Sequence, residues 1–332
     1  MSDVPLQFVV GKGGVGKSTL TAALALASAS RGLRTLVVEF GGHGGLSRLF
    51  GHDTAAARPG LPRVVAPRLT LVSLEGDEAL AEYLRMVVPI KRVLSAVFSS
   101  RLYGVFVAGA PGLKELMTIG KIWYEADRRM GSGEPVWQRI FVDAGASGHS
   151  LQYLQMPSAA VATFRSGLVH REAMRVEEML RDPARTCVHV VATPEEMPVT
   201  EACAIVEKLR DSLKLPLGTL FLNRCRDAAP PAARAGISVL GALALGGVDA
   251  AVADVMREAC EAALEWEAVQ EAAIARIEAE TGLAARRVPS LVREEVGLRE
   301  ATELASLLDA AATVPVGDAG AAAPWNGTGG EG

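Results

Sequence analysis

Apolar residues follow two rhythms along this chain. Short unbroken apolar runs alternate with longer stretches where apolar residues return every three or four positions. Residues 6–10 form the first unbroken run, the pattern of a strand covered on both faces of a parallel sheet. Residues 19–30, rich in Ala and Leu and followed by Gly32, predict a helix stopped by a glycine. Further runs at 34–40, 69–74, 139–143, 186–192 and 217–222 predict strands. Residues 158–180, 196–213, 248–280 and 290–308 predict helices. Between 77 and 130 the strand signal fades. Leu84, Val87, Val88, Ile90, Val93, Leu94 and Val97 keep helical spacing, which predicts a mostly helical insertion, either a cover for the sheet or a groove for a hydrophobic segment. Trp123 and Tyr124 within it are read as core. The alternation of strand and helix predicts an α/β fold with a mostly parallel sheet flanked by helices.

Composition narrows this picture. The 332 residues are 49% hydrophobic and 22% charged, enough for one large α/β domain. We read residues 1–315 as that domain, with no internal repeat, and the Gly/Ala/Pro-rich residues 316–332 as a disordered tail. A net charge of −4 gives no electrostatic reason to expect nucleic acid as a partner. Cys187, Cys203, Cys225 and Cys260 have no short paired spacing, which argues against a zinc site or a disulfide framework and suits a reducing cytoplasm. No signal peptide or membrane-spanning run is expected.

The candidate chemistry sits directly after the first strand. Gly11, four residues, then Gly16, Lys17 and Ser18 fit a phosphate-binding loop. Glycines let successive backbone N–H groups face one anion, and the following helix adds its positive end. In this arrangement Gly11, Gly13, Gly14, Val15, Gly16, Lys17, Ser18 and Thr19 cradle a nucleotide. Lys17 reaches the outer phosphates and the Ser18 hydroxyl holds Mg²⁺. Asp143, closing the run from Arg139, stands where a second Mg²⁺-associated carboxylate belongs. Together these features predict a P-loop NTPase that holds a nucleotide's phosphates with Mg²⁺.

Lys12, at the front of Lys-Gly-Gly-Val-Gly-Lys-Ser, gives the loop a resemblance to the deviant phosphate loop of the MinD/ParA superfamily. Residues 143–157 resemble the second switch of one branch, the arsenical-pump and guided-entry targeting ATPases. Residues 111–117 resemble that branch's Pro-Gly-x-x-Glu-x-Met segment and 193–201 its Pro-Glu-x-x-x-x-x-Glu segment. The resemblance implies a dimer, of like chains or with a paralogue, closed around ATP. In it Lys12 reaches the partner's nucleotide and serves catalysis with Lys17. It implies further that Asn223 and Pro289 lie at the adenine and that the helical insertion handles a hydrophobic protein client. His149 is read as a switch contact or a solvated loop residue.

This sequence also departs from that pattern. Where the first switch of the family carries Asp-Pro-Ala-His, here stand Glu39-Phe40-Gly41-Gly42-His43. The carboxylate that orients the attacking water is then Glu39, or is missing if Gly41 is the aligned position. The resemblance therefore implies an ATPase, with a poorly hydrolysing subunit of a heterodimer as the alternative. The Cys-x-x-Cys pair of the targeting ATPases and the metalloid-binding cysteines of the pumps have no counterpart here.

Overall fold

The computed structural model describes residues 3–40, 44–51, 60–74, 112–145, 147–229, 249–291 and 297–308. The first apolar run is β1 (Leu6–Gly11), buried along its whole length. It lies between two parallel neighbours, β5 (Arg139–Asp143) and β6 (Thr186–Ala192). β2 (Thr35–Phe40) pairs with β5 on one side and with β4 (Leu69–Leu74) on the other, both in parallel register. On the other flank, β7 (Leu217–Cys225) pairs with β6, and β8 (Ala285–Pro289) with β7. With β3 (Arg63–Ala66) antiparallel at one edge, the eight-stranded order is β3-β4-β2-β5-β1-β6-β7-β8. This is the expected α/β P-loop NTPase fold.

Helices cover both faces. On one, α1 (Lys17–Ser30) packs against the last helix, α8 (Leu298–Leu308), with short α2 (Gly45–Leu49) beside them. Leu20, Leu24, Leu46, Leu304 and the inward side chains Val9, Val37 and Phe141 form that layer. On the other face lie α3 (Leu113–Asp127), α4 (Ser147–Thr163), α5 (Leu168–Arg181), α6 (Glu196–Glu207) and α7 (Ala250–Thr281). They bury Ile119, Ile122, Leu151, Leu154, Val176, Val199 and Ile277 against Phe8, Val10 and Val142. Side chains of a two-sided strand alternate between the two layers, which is why β1 reads as an unbroken apolar run. Trp123 packs half-buried against this second layer, as expected of a core residue.

Several elements differ from expectation. Residues 158–180 are not one helix: α4 and α5 are separate, and Gly167 between them takes φ 94°, which ends helical continuity. Residues 147–149 are the first turn of α4, so the backbone of His149 is helical and not a loop. Helix α6 continues as a π-helical turn at Lys208–Ser212. The edge strands β3 and β8 and the short α2 had no counterpart in the sequence reading. β8 reads Ala-Arg-Arg-Val-Pro, where only Val288 is deeply buried, so apolar continuity gave no signal. The final helix starts at Leu298 rather than 290. The part of the insertion from 75 to 111, and the tail, lie outside the described residues.

Helix α3 is fixed by charge as well as packing. Glu125 accepts hydrogen bonds from Trp137 Nε1 at 2.9 Å and Arg128 Nη1 at 2.7 Å. The fully buried Lys121 ammonium lies 3.7 Å from its other oxygen. A buried carboxylate left without these partners would cost several kcal/mol, about 3–5.

Candidate functional site

The loop joining β1 to α1 is shaped by steric exclusion. Gly11 adopts φ 151°, and a Cβ on it would lie 2.2 Å from the Val191 carbonyl oxygen of β6. Gly16 adopts φ 90° at the N-cap of α1, and a Cβ there would lie 2.3 Å from Asn223 Nδ2. Only glycine fits either position. Gly13 and Gly14 are exposed at the loop's tip and Val15 is buried beneath it.

Lys17, only 7% exposed, opens the first turn of α1. Its ammonium donates to the Lys12 carbonyl at 2.7 Å. Burial pushes its pKa down, opposed by the carboxylates of Asp143 and Glu201. Lys12 Nζ lies 3.7 Å from Glu201 Oε2 on α6, both side chains about a third exposed. Both amines are turned toward the chain's own oxygens. Thr19 follows Ser18 in the same turn of α1.

Ser18 and Asp143 meet across the ends of α1 and β5. The Ser18 hydroxyl donates to Asp143 Oδ2 at 2.5 Å. Asp143 Oδ1 is buried with no hydrogen-bond partner. Burial raises the Asp143 pKa, and the nearby Glu39 carboxylate adds to it. The Ser18 bond, Lys17 and the Gly145 N–H act against it. A hydroxyl beside a carboxylate with one unsatisfied oxygen is an oxygen donor set that suits a hard divalent cation. Such an ion would relieve the orphaned oxygen and neutralise charge between outer phosphates.

Glu39, 3% exposed at the end of β2, has its carboxylate committed. Oε1 accepts from the Leu46 N–H at 2.9 Å. Oε2 accepts from Ser73 Oγ at 3.2 Å and Ser47 Oγ at 3.4 Å. It therefore ties the start of α2 to β4, beside Ser18 and Asp143 rather than open to solvent. Residues 41–43 lie outside the described residues, as do the side chains of 147–149, His149 included.

On the opposite flank Asn223 of β7 donates from Nδ2 to the Val15 carbonyl at 2.8 Å. Pro289 closes β8 in register with Cys225, two residues beyond Asn223. The structure thus brings Asn223 onto the phosphate loop and sets Pro289 at the neighbouring strand end. The sequence reading missed three contacts. Glu201 faces Lys12. The rings of Phe40 and Tyr153 lie 4.5 Å apart, centroid to centroid, linking the end of β2 to α4. Met156 of α4 rests on Gly112, the N-cap of α3. Each joins segments that sequence alone leaves far apart, so no periodicity could have shown them.

Comparison with known proteins supplies the lineage. Residues 5–168 match the model of the anion-transporting ATPase family. The chain is 31% identical over 234 residues to the ATPase BagA of Mycobacterium tuberculosis, covering 68% of this chain and 66% of that protein. It is 26% identical over 229 residues to an arsenical pump-driving ATPase of Acidiphilium multivorum, covering 62% and 37% respectively. With the ATPase ASNA1 homolog 2 of Paramecium tetraurelia it shares 28% identity over 166 residues, 46% of this chain and 43% of that one. The chain thus spans about two thirds of the length of the mycobacterial relative and less of the others. No helix among the described residues is long and apolar enough to cross a membrane. A glycine-constrained loop on the central strand, a Lys-Ser pair opening α1 and a facing aspartate, in a sequence alignable with these ATPases, place the chain in the anion-transporting ATPase family.

Proposed function

We propose that the chain is a cytoplasmic ATPase that binds Mg·ATP between two subunits and couples hydrolysis to movement of its helical part. The carrying observation is the pairing of Ser18, just past the glycine loop, with a buried Asp143 whose second oxygen lacks a partner. In this reading Lys17 leaves the Lys12 carbonyl for the outer phosphates, Ser18 and Asp143 hold the cation, and Lys12 exchanges Glu201 for the partner's nucleotide. Fixed positive charge aimed at the transferring phosphoryl group stabilises the charge that develops there. Loss of the terminal phosphate is passed from β5 into α4, and from Tyr153 and Met156 to Phe40 and Gly112. It then reaches α3 and the segment before it, which in this reading handles a hydrophobic protein client. The dimer is of identical chains or formed with a paralogue.

The test is ATP turnover by the wild type beside Lys17→Ala and Lys12→Ala. Both substitutions are expected to abolish most turnover, Lys17→Ala by removing nucleotide binding and Lys12→Ala with binding retained. Equal turnover in all three would overturn the proposal. A second reading, a nucleotide-binding subunit that hydrolyses poorly on its own, draws support from Glu39. Its carboxylate is occupied by Leu46, Ser47 and Ser73 and is not available to orient water. Tight Mg·ATP binding with negligible turnover by the isolated wild type would select this reading.

A further inference from the structure

Asn223 is tied to the phosphate loop itself. A carbonyl oxygen can only accept, so the Asn223 amide must present its NH₂ end to Val15. The same nitrogen sits where any side chain at Gly16 would go, so the amide lies flat on the loop. Asn223 is 8% exposed, and the backbone around it is unusual. Arg224, the next residue, takes φ 59°, a left-handed conformation rare outside glycine. The β7–β8 register also shifts between Leu222 and Cys225. Left-handed non-glycine backbone persists where surrounding structure holds it, and such positions gather at functional sites. Here the irregular stretch carries Asn223 to the loop.

We propose that Asn223 is a positioning residue for the phosphate loop, fixing the Val15 carbonyl and covering Gly16, so that triphosphate affinity depends on it whatever base is attached. The inference rests on the reading of the loop as a Mg·ATP site. With its NH₂ end spent on Val15, the amide keeps Oδ1 as an acceptor.

Calorimetric titration of the full chain with Mg·ATP and with Mg·tripolyphosphate, which has no base, separates the possibilities. Asn223→Ala is expected to weaken both ligands by the same factor, about tenfold, the worth of one buried hydrogen bond whose acceptor is left unpaired. Weakening of Mg·ATP alone would overturn the proposal and leave the nucleotide site standing. Wild type that binds neither ligand would sink the nucleotide reading and this proposal together. A measurement on wild type alone guards against a variant that does not fold. Tripolyphosphate should shift the Asn223 side-chain amide resonances of ¹⁵N-labelled protein, and an unmoved resonance would also overturn the proposal.

Discussion

Single buried polar groups set how this protein responds to pH. His189, 1% exposed in β6, accepts the Thr219 N–H at Nδ1 (2.8 Å) and faces Gln7 Oε1 from Nε2 (2.9 Å). That pairing assigns a neutral ring with its proton on Nε2, and burial holds its pKa down to about 4. The unfolded chain therefore takes up a proton at higher pH than the native one. Stability is full above 6.5 and is lost as pH falls toward 4, by about 3 kcal/mol for this group. Urea midpoints across that range should fall more steeply for wild type than for His189→Gln. Asp143 acts in the opposite sense. Its folded pKa is raised, so its share of stability is present below the ordinary carboxylate value of 3.8 and drains away as pH rises through the folded value. Asp143→Asn should melt no lower than wild type without nucleotide, yet lose the Mg²⁺ dependence of nucleotide affinity in titrations with and without the cation. Placement was legible where spacing carries it: Lys17 and Ser18 open α1, and Asp143 closes β5 against Ser18. It was illegible for Glu39, because length and charge alone do not say that three donors already surround it.

Elements were legible in proportion to their burial. β1, β5 and β6 announce themselves as apolar runs because both faces are covered. Edge strand β8 holds two adjacent arginines and one deeply buried apolar residue, Val288, and says little. The break between α4 and α5 turned on one glycine backbone angle, which no hydrophobic period encodes. Contacts between elements are equally hidden. Gly112 caps α3 with φ 86°, and a Cβ there would stand 2.2 Å from Met156 Sδ. Gly112→Ala should therefore destabilise by about 1–3 kcal/mol in urea unfolding, from backbone strain and overpacking together. Adding Met156→Ala should return only the packing part, since the strained angle remains. Tyr153, half-buried between Phe40 and the first turn of α3, has its phenol pKa raised by burial and by Glu115. It stands in the same joint.

Across the whole molecule, one sheet separates two apolar layers and carries every candidate site residue in the described part near the C-terminal ends of β1, β2, β5, β7 and β8. Ligands of open α/β sheets bind outside those ends, beside the central strand where the order reverses. The central position of β1 also gives a global prediction. If the loop binds Mg·ATP in the native state alone, ligand at about 100 times its Kd adds about 2.7 kcal/mol to stability. A thermal melt should show the rise for wild type and its absence for Lys17→Ala. The strand order divides labour about β1. Asn223 and Pro289 lie on the β7–β8 flank, whereas Glu39, Asp143 and the root of α4 lie on the β2–β5 flank. On the proposed reading the cation and the terminal phosphate are held from the β2–β5 flank, and Asn223 carries the β7–β8 flank onto the same loop. Neither flank can then be altered without the glycine loop between them feeling the change.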